Sequence, residues 1–190
     1  MKRILIAALG IICFMGIPQL TAQERDTTTS PNFPKMDASP MDLTVYRDSN
    51  DDVIARVLYS RPTKRDRVVF GKLVPYGQVW RTGANEATEI TLYKDMKVGD
   101  AVVEAGTYTL FSIPEEKEWT IILSQNTHTW GAYEYTDEED LVRITVPVRQ
   151  SSTNIENLSM AFERTSEENG TDLLIGWDDK YVRVPFKNVN

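Results

Sequence analysis

From Leu43 onward, apolar residues return at every second position in a series of short runs, and each run is closed by glycine, proline, asparagine or aspartate. A period of two marks a half-buried strand, because successive side chains point to opposite faces. Leu43 to Tyr46, the turn cluster Asp48 to Asp52, and Val53 to Tyr59 read as a hairpin with Val53, Ala55, Val57 and Tyr59 on one face. Thr88 to Tyr93 places Ile90 and Leu92 together, and Val102-Val103 leads through Ala105-Gly106 into Thr107 to Ile113, where Pro114 ends the ladder. Trp119 to Ser124 is partly apolar on both faces, which makes it a candidate central strand. Leu141 to Val148 alternates cleanly, and Pro147 assigns it to an edge. Near the C-terminus, the face of Leu158, Met160 and Phe162, the turn Asn169-Gly170, the face of Leu173, Ile175 and Trp177, the break Asp178 to Lys180 and the face of Val182, Val184 and Phe186 read as two hairpins in series.

Helical periodicity is confined to two places. Val69, Phe70, Leu73 and Val74 have the spacing for one or two turns, limited by Gly71, Pro75 and Gly77, and Thr136 to Asp140 reads as one capped turn. The expected fold is therefore all-β, an antiparallel β-sandwich or jelly-roll-like barrel of about nine or ten short strands with at most one or two helical turns.

Residues 1–23 follow a different logic. Lys2 and Arg3 precede an apolar run from Ile4 to Ile17, then Pro18 and small and polar residues. That is the order of a secretory signal peptide cut near Ala22 or Gln23, and the run falls short of the about 20 apolar residues of a membrane span. Cys13 lies inside it after Ile12, the wrong setting for lipid attachment, and no other cysteine exists. The exported protein, periplasmic or extracellular, is then expected to lack disulfides, thiolate catalysis and Cys-based metal sites. Residues 24–40, with Pro31, Pro34 and Pro40 among Thr and Ser, read as a flexible leader to a single domain over 41–190. Losing Lys2 and Arg3 leaves 19 basic residues against 28 acidic ones. Such a surface repels phosphate backbones, so nucleic acid is not an expected partner.

Chemistry-bearing residues gather in two polar stretches. Arg81, Asn85 and Glu86 follow Trp80: Arg forks onto carboxylates, phosphates or sugar hydroxyls, Asn donates and accepts, and Glu accepts or exchanges a proton. The structural alternative pairs Arg81 with Glu86 and makes Asn85 a turn residue. His128, Trp130 and Tyr133 leave the strand that ends at Ser124, an imidazole beside two aromatic platforms suited to sugar rings or cations. Alternatively, Trp130 and Tyr133 cap the core and His128 is solvated. The basic run Arg61, Lys64, Arg65 and Arg67 either captures an anion or is a solvated loop balanced by acids. One histidine and the contiguous acids Asp137 to Asp140 do not make the spaced ligand set of a zinc or calcium site, so neither metal nor cofactor is expected. Ser112 and Ser124 lack a nucleophile elbow, and no catalytic residue is assigned.

Tyr59 to Pro62 (YSRP), Arg67 to Gly71, Val74 to Thr88 (VPYGQVWRTGANEAT), Ala105 to Pro114 (AGTYTLFSIP), Trp119 and Trp130 to Tyr135 (WGAYEY) together resemble the secreted bacterial domain-of-unknown-function family 2911 (DUF2911) from Ser39 to the C-terminus. The resemblance implies an exported single domain and carries no catalytic residue. The residues point to a non-catalytic β-sandwich binding a small polar ligand, a sugar or anionic small molecule, or an envelope component, through Arg81, Asn85, Glu86, His128, Trp130 and Tyr133. Two other readings stay open: a carboxylate-based hydrolase of envelope glycans using Glu86 with Glu104 or Glu134, and a protein-interaction module.

Overall fold

The computed structural model describes residues 30–165 and 170–189. The expected signal peptide, its cleavage site, Cys13 and Asn169 of the expected Asn169-Gly170 turn lie outside the described residues. Residues 30–35 are exposed and have no regular secondary structure. Residues 36–190 form one compact unit.

Among the described residues, ten strands make two antiparallel sheets. The larger sheet has the order β1-β2-β3-β6-β7-β8, with β1 Met41–Arg47, β2 Val53–Ser60, β3 Glu89–Leu92, β6 Gly106–Pro114, β7 Glu118–Ser124 and β8 Asp140–Pro147. The smaller has the order β5-β4-β10-β9, with β4 Met96–Val98, β5 Ala101–Val103, β9 Arg149–Arg164 and β10 Gly170–Asn188. The alternation accounts for how they pack. Val57, Ile90, Leu110, Trp119 and Ile121 of the first sheet are buried with Leu158, Ile175, Trp177, Val184 and Phe186 of the second in one core. Each large apolar side chain removed from water there contributes about 1.5–3 kcal/mol. The expected central strand is β7, flanked by β6 and β8, and the strand with Pro147 is an edge. The outer face of the larger sheet also carries apolar residues, Phe111 and Ile122, and these are covered by Val79, Ala87, Ala132 and Tyr135 from two loops. That second small core draws together two stretches about 45 residues apart in the chain.

Three expectations are corrected. Val69 to Val74 is not helical: Gly71 adopts φ 82°, its N–H donates to the Val74 carbonyl at 2.8 Å, and Val74 N–H donates to the Val69 carbonyl at 2.9 Å, closing a tight turn. The expected helical turn near Thr136 is a 3-10 turn over Asp137–Glu139, and its N-cap Thr136 makes no side-chain capping hydrogen bond. The C-terminal region is one long ribbon of β9 and β10 instead of two short hairpins. Asp178 takes φ 60° and the register shifts on both sides of it, so the polar break at Asp178 to Lys180 is a bulge within a continuous strand. The hairpin of β4 and β5, turning at Gly99-Asp100, has no counterpart in the sequence expectation apart from Val102-Val103.

The sheets are stapled at one side by polar groups. Tyr59 Oη of β2 accepts the Met160 N–H of β9 at 3.0 Å and donates to Asp42 Oδ2 at 3.4 Å. Burial pushes its phenol above the usual range. Arg61 spans the same gap, donating to Asp42 Oδ2 at 2.9 Å, the Leu158 carbonyl at 3.0 Å and Ser159 Oγ at 3.0 Å. Thr63 then bridges to Asn157 and shields the free edge of β9.

Candidate functional site

Trp80 begins the loop that supplies the site. Its backbone exchanges hydrogen bonds with Ser112 of β6 at 2.7 and 2.9 Å, and its indole N–H donates to the Gly83 carbonyl at 3.0 Å. Beneath the loop lies a set of hydroxyls that are all fully buried: Thr82 Oγ1 meets Ser112 Oγ at 2.9 Å, and Thr88 Oγ1 donates to the Thr82 carbonyl at 2.9 Å. Thr88 N–H donates to the Arg81 carbonyl at 3.1 Å. Satisfied buried polar groups of this kind rigidify what they hold, and here they hold Thr82 and Asn85 at φ 52° and 58°. Such conformations persist only where the surroundings impose them.

The two stretches singled out in the sequence meet. Glu86 and Trp130 form an isolated antiparallel bridge, with Ala87 N–H donating to the Thr129 carbonyl at 3.0 Å and Gly131 N–H to the Asn85 carbonyl at 3.1 Å. Their side chains nevertheless divide. Arg81 and Asn85 line one cavity, Glu86 and His128 line another, and Trp130 and Tyr133 line neither, standing 61% and 83% exposed. The two aromatics therefore do not cap the core. Tyr133 lies over Gly131, where an added Cβ would stand 2.7 Å from its ring. Nor does Arg81 pair with Glu86: the Arg81 side chain has neither an ion pair nor a hydrogen bond among the described residues, and its Nε is buried without a partner. Asn85 Nδ2 donates to Asp37 Oδ1 at 3.1 Å. The Asp37 carboxyl is held below its usual range by the Ser39 N–H first and the Asn85 amide second.

The Arg81 cavity has a volume of about 350 Å³. Its apolar walls are Leu73, Val74 and the indoles of Trp80 and Trp177, which stack with centroids 6.1 Å apart and planes at 17°. Arg67 also lines it, fixed by donation from Nε to the Lys64 carbonyl at 2.8 Å and from Nη2 to the Thr63 carbonyl at 2.6 Å. Those bonds orient the guanidinium without neutralising it. Among the described residues no carboxylate lines this cavity, Asp37 included. The basic run thus splits by role: Arg61 and Lys64 are structural, paired with Asp42 and with Asp178 at 2.5 Å, whereas Arg67 faces the cavity. Trp177 was not among the expected site residues, whereas Arg67 belonged to the basic run for which anion capture was one of two readings. The signal available for Trp177 was a bulky aromatic directly before the polar break at Asp178.

The other cavity, about 200 Å³, is walled by Met41, Leu58, Tyr59 and Ala87 and carries Glu86, Glu89, His128 and Thr129. Glu89 Oε1 accepts the His128 N–H at 2.9 Å and lies 3.2 Å from His128 Nδ1. Glu104 and Glu134, the carboxylates paired with Glu86 in the hydrolase expectation, do not line it. No described helix is long and apolar enough to cross a membrane.

A family model described as Protein of unknown function (DUF2911) matches residues 39–186. No curated protein and no solved structure matches the chain.

Proposed function

The chain belongs to the DUF2911 family, and on that premise we propose that it is an exported, non-catalytic binding protein for a small organic anion, taken up in the cavity walled by Trp80 and Trp177. The observation that carries this reading is the side chain of Arg81. A guanidinium bordering an indole-lined cavity, with a buried Nε and neither ion pair nor hydrogen bond among the described residues, stands in an environment that favours an anionic partner. Arg67 adds a second positive charge, Asn85 an amide whose Nδ2 already donates to Asp37, and Leu73, Val74 and the narrow exposed margins of the two indoles an apolar border for the body of the ligand. The chain as a whole carries more acids than bases, 28 against 21, so two arginines in a lining free of carboxylates are a local reversal of sign. The volume falls within the range of about 300–1,000 Å³ typical of small-molecule sites.

Intrinsic tryptophan fluorescence, to which Trp80 and Trp177 contribute, provides the test. Titration with benzoate, phenyl phosphate and benzenesulfonate identifies the preferred anionic group, and benzamide serves as the uncharged isostere of benzoate. Benzoate is expected to give a saturable change with an affinity tenfold or more above that of benzamide, and Arg81→Gln is expected to remove that advantage. Equal responses to benzoate and benzamide, or no response to any anion, would contradict the proposal.

A further inference from the structure

We propose that the Glu86–Glu89–Thr129 cavity is a separate site for a small primary ammonium ligand with a short apolar tail. The lining sets two carboxylates, Glu86 and Glu89, beside the hydroxyls of Ser60 and Thr129 and the imidazole of His128. Glu86 is exposed at its rim, and Glu89, with its side chain only 20% exposed, contributes a carboxylate whose Oε1 is held by the backbone N–H of His128. Thr129 supplies an observation independent of the acids. The residue is more than nine-tenths buried and lines the cavity, and its hydroxyl has no hydrogen-bond partner among the described residues. A buried hydroxyl left unpaired is costly, and a donor arriving from a ligand removes that cost.

Stoichiometry selects the ligand class. A primary ammonium carries three N–H donors and no acceptor, and two carboxylates and a hydroxyl offer three acceptor groups to meet it. A quaternary ammonium has no N–H to offer Thr129, and an alcohol brings no charge to offset Glu86 and Glu89. Met41, Leu58, Tyr59 and Ala87 provide apolar walls for a tail. The volume, about 200 Å³, equals about six or seven waters and limits that tail to a few carbons. Neither Arg67 nor Arg81 lines this cavity. Alternation along the bridged segment sends Asn85 to the cationic cavity and Glu86 to the acidic one, so the two sites take ligands of opposite sign.

His128 is the chain's single histidine, and in untagged protein its ring protons form one isolated set of NMR signals beside Glu89. Titrating the untagged exported protein with n-butylammonium chloride is expected to shift those signals saturably. Tetramethylammonium is expected to bind at least fivefold more weakly, and 1-butanol to leave the signals in place. Glu86→Gln, at an exposed position that tolerates substitution, and Thr129→Val should each weaken n-butylammonium binding by fivefold or more. Arg81→Gln should leave it unchanged, which separates this site from the anion cavity whichever way the other proposal falls. The inference is overturned by the absence of a saturable shift, by equal responses to n-butylammonium and 1-butanol, or by full retention of affinity in a folded Glu86→Gln protein.

Discussion

Trp80 and Trp177 stack at 6.1 Å with their planes only 17° apart, one from a loop that leaves the larger sheet and the other from the longest strand of the smaller. Trp119 meets Trp80 edge-on at 6.1 Å, and Phe70 lies 4.9 Å from Trp119, so the wall of the anion cavity is continuous with the aromatic centre of the core. A ligand resting on this wall therefore contacts a surface already fixed by core packing, which lowers the ordering cost of binding.

Trp119 and Trp177 differ in one respect that mutagenesis reads directly. Trp119 is fully buried and its indole N–H has no partner among the described residues, whereas Trp177 donates to the Glu156 carbonyl at 3.2 Å. Replacement by Phe removes packing from both and a made hydrogen bond from Trp177 alone. A net hydrogen bond contributes about 0.5–1.5 kcal/mol, and losing an unsatisfied buried donor is a gain. Urea unfolding is expected to show Trp177→Phe costing about 1–2 kcal/mol more than Trp119→Phe.

The meeting of the two loops depends on Gly131, which takes φ 73° directly after Trp130. A methyl group there meets both a disfavoured backbone conformation and the ring of Tyr133. Gly131→Ala should lower stability by about 1 kcal/mol or more, a fall of about 2–4 °C in Tm for a chain of this size. Adding Tyr133→Ser removes the steric part and should restore some of that loss, while Tyr133→Ser alone changes stability by no more than about 0.5 kcal/mol.

Alkaline pH tests the contact that holds the second loop down. Tyr135 packs edge-on against Phe111 at 5.1 Å, donates to Asp140 Oδ2 at 2.7 Å and accepts from Arg143 Nη2 at 3.0 Å. Burial first, and then the Asp140 hydrogen bond, push its phenol up to about 12. An unfolded tyrosine titrates near about 10, so the native state holds the proton longer and its contribution is complete below that value. Stability should fall as pH rises from about 10 through about 12. In Tyr135→Phe that part of the decline should be missing from Tm measured across the same interval.

The bulge in β10 depends on Asp178, which sits at φ 60° and accepts Lys64 Nζ at 2.5 Å. The hydrogen bond to Asp178 is the main cause that raises the Lys64 ammonium above its usual range. Asp178→Val combines a β-branched side chain with a left-handed backbone and loses the pair, whereas Asp178→Asn keeps a residue tolerated there. Thermal unfolding should place Asp178→Val well below Asp178→Asn, with wild type highest.

What the sequence disclosed follows from how local each signal is. Asp48 to Asp52 marked the β1–β2 hairpin, the two apolar faces of Trp119 to Ser124 marked a central strand, and Pro147 marked an edge, because each depends on neighbours within one strand or turn. Met96 to Val98 escaped notice, since three residues with a lysine in the middle contain too little periodicity to identify a strand. Asp178 to Lys180 looked like a turn because the same polar residues serve turns and bulges, and only pairing with β9 distinguishes them. Arg81 and Asn85 were legible as a pair close in the chain. The division of Glu86 and His128 into another cavity, and the arrival of Trp177 and Arg67 beside Arg81, required the register of a bridge and the stacking of two sheets, which no local pattern encodes.

Isothermal titration calorimetry of benzoate into wild-type protein, Arg81→Gln and Trp130→Ala tests the central claim most directly. The account predicts saturable binding to wild type, a loss of tenfold or more in affinity for Arg81→Gln with its fold intact, and an affinity for Trp130→Ala within twofold of wild type, because Trp130 lines neither cavity. Benzoate binding that survives Arg81→Gln unchanged would contradict it.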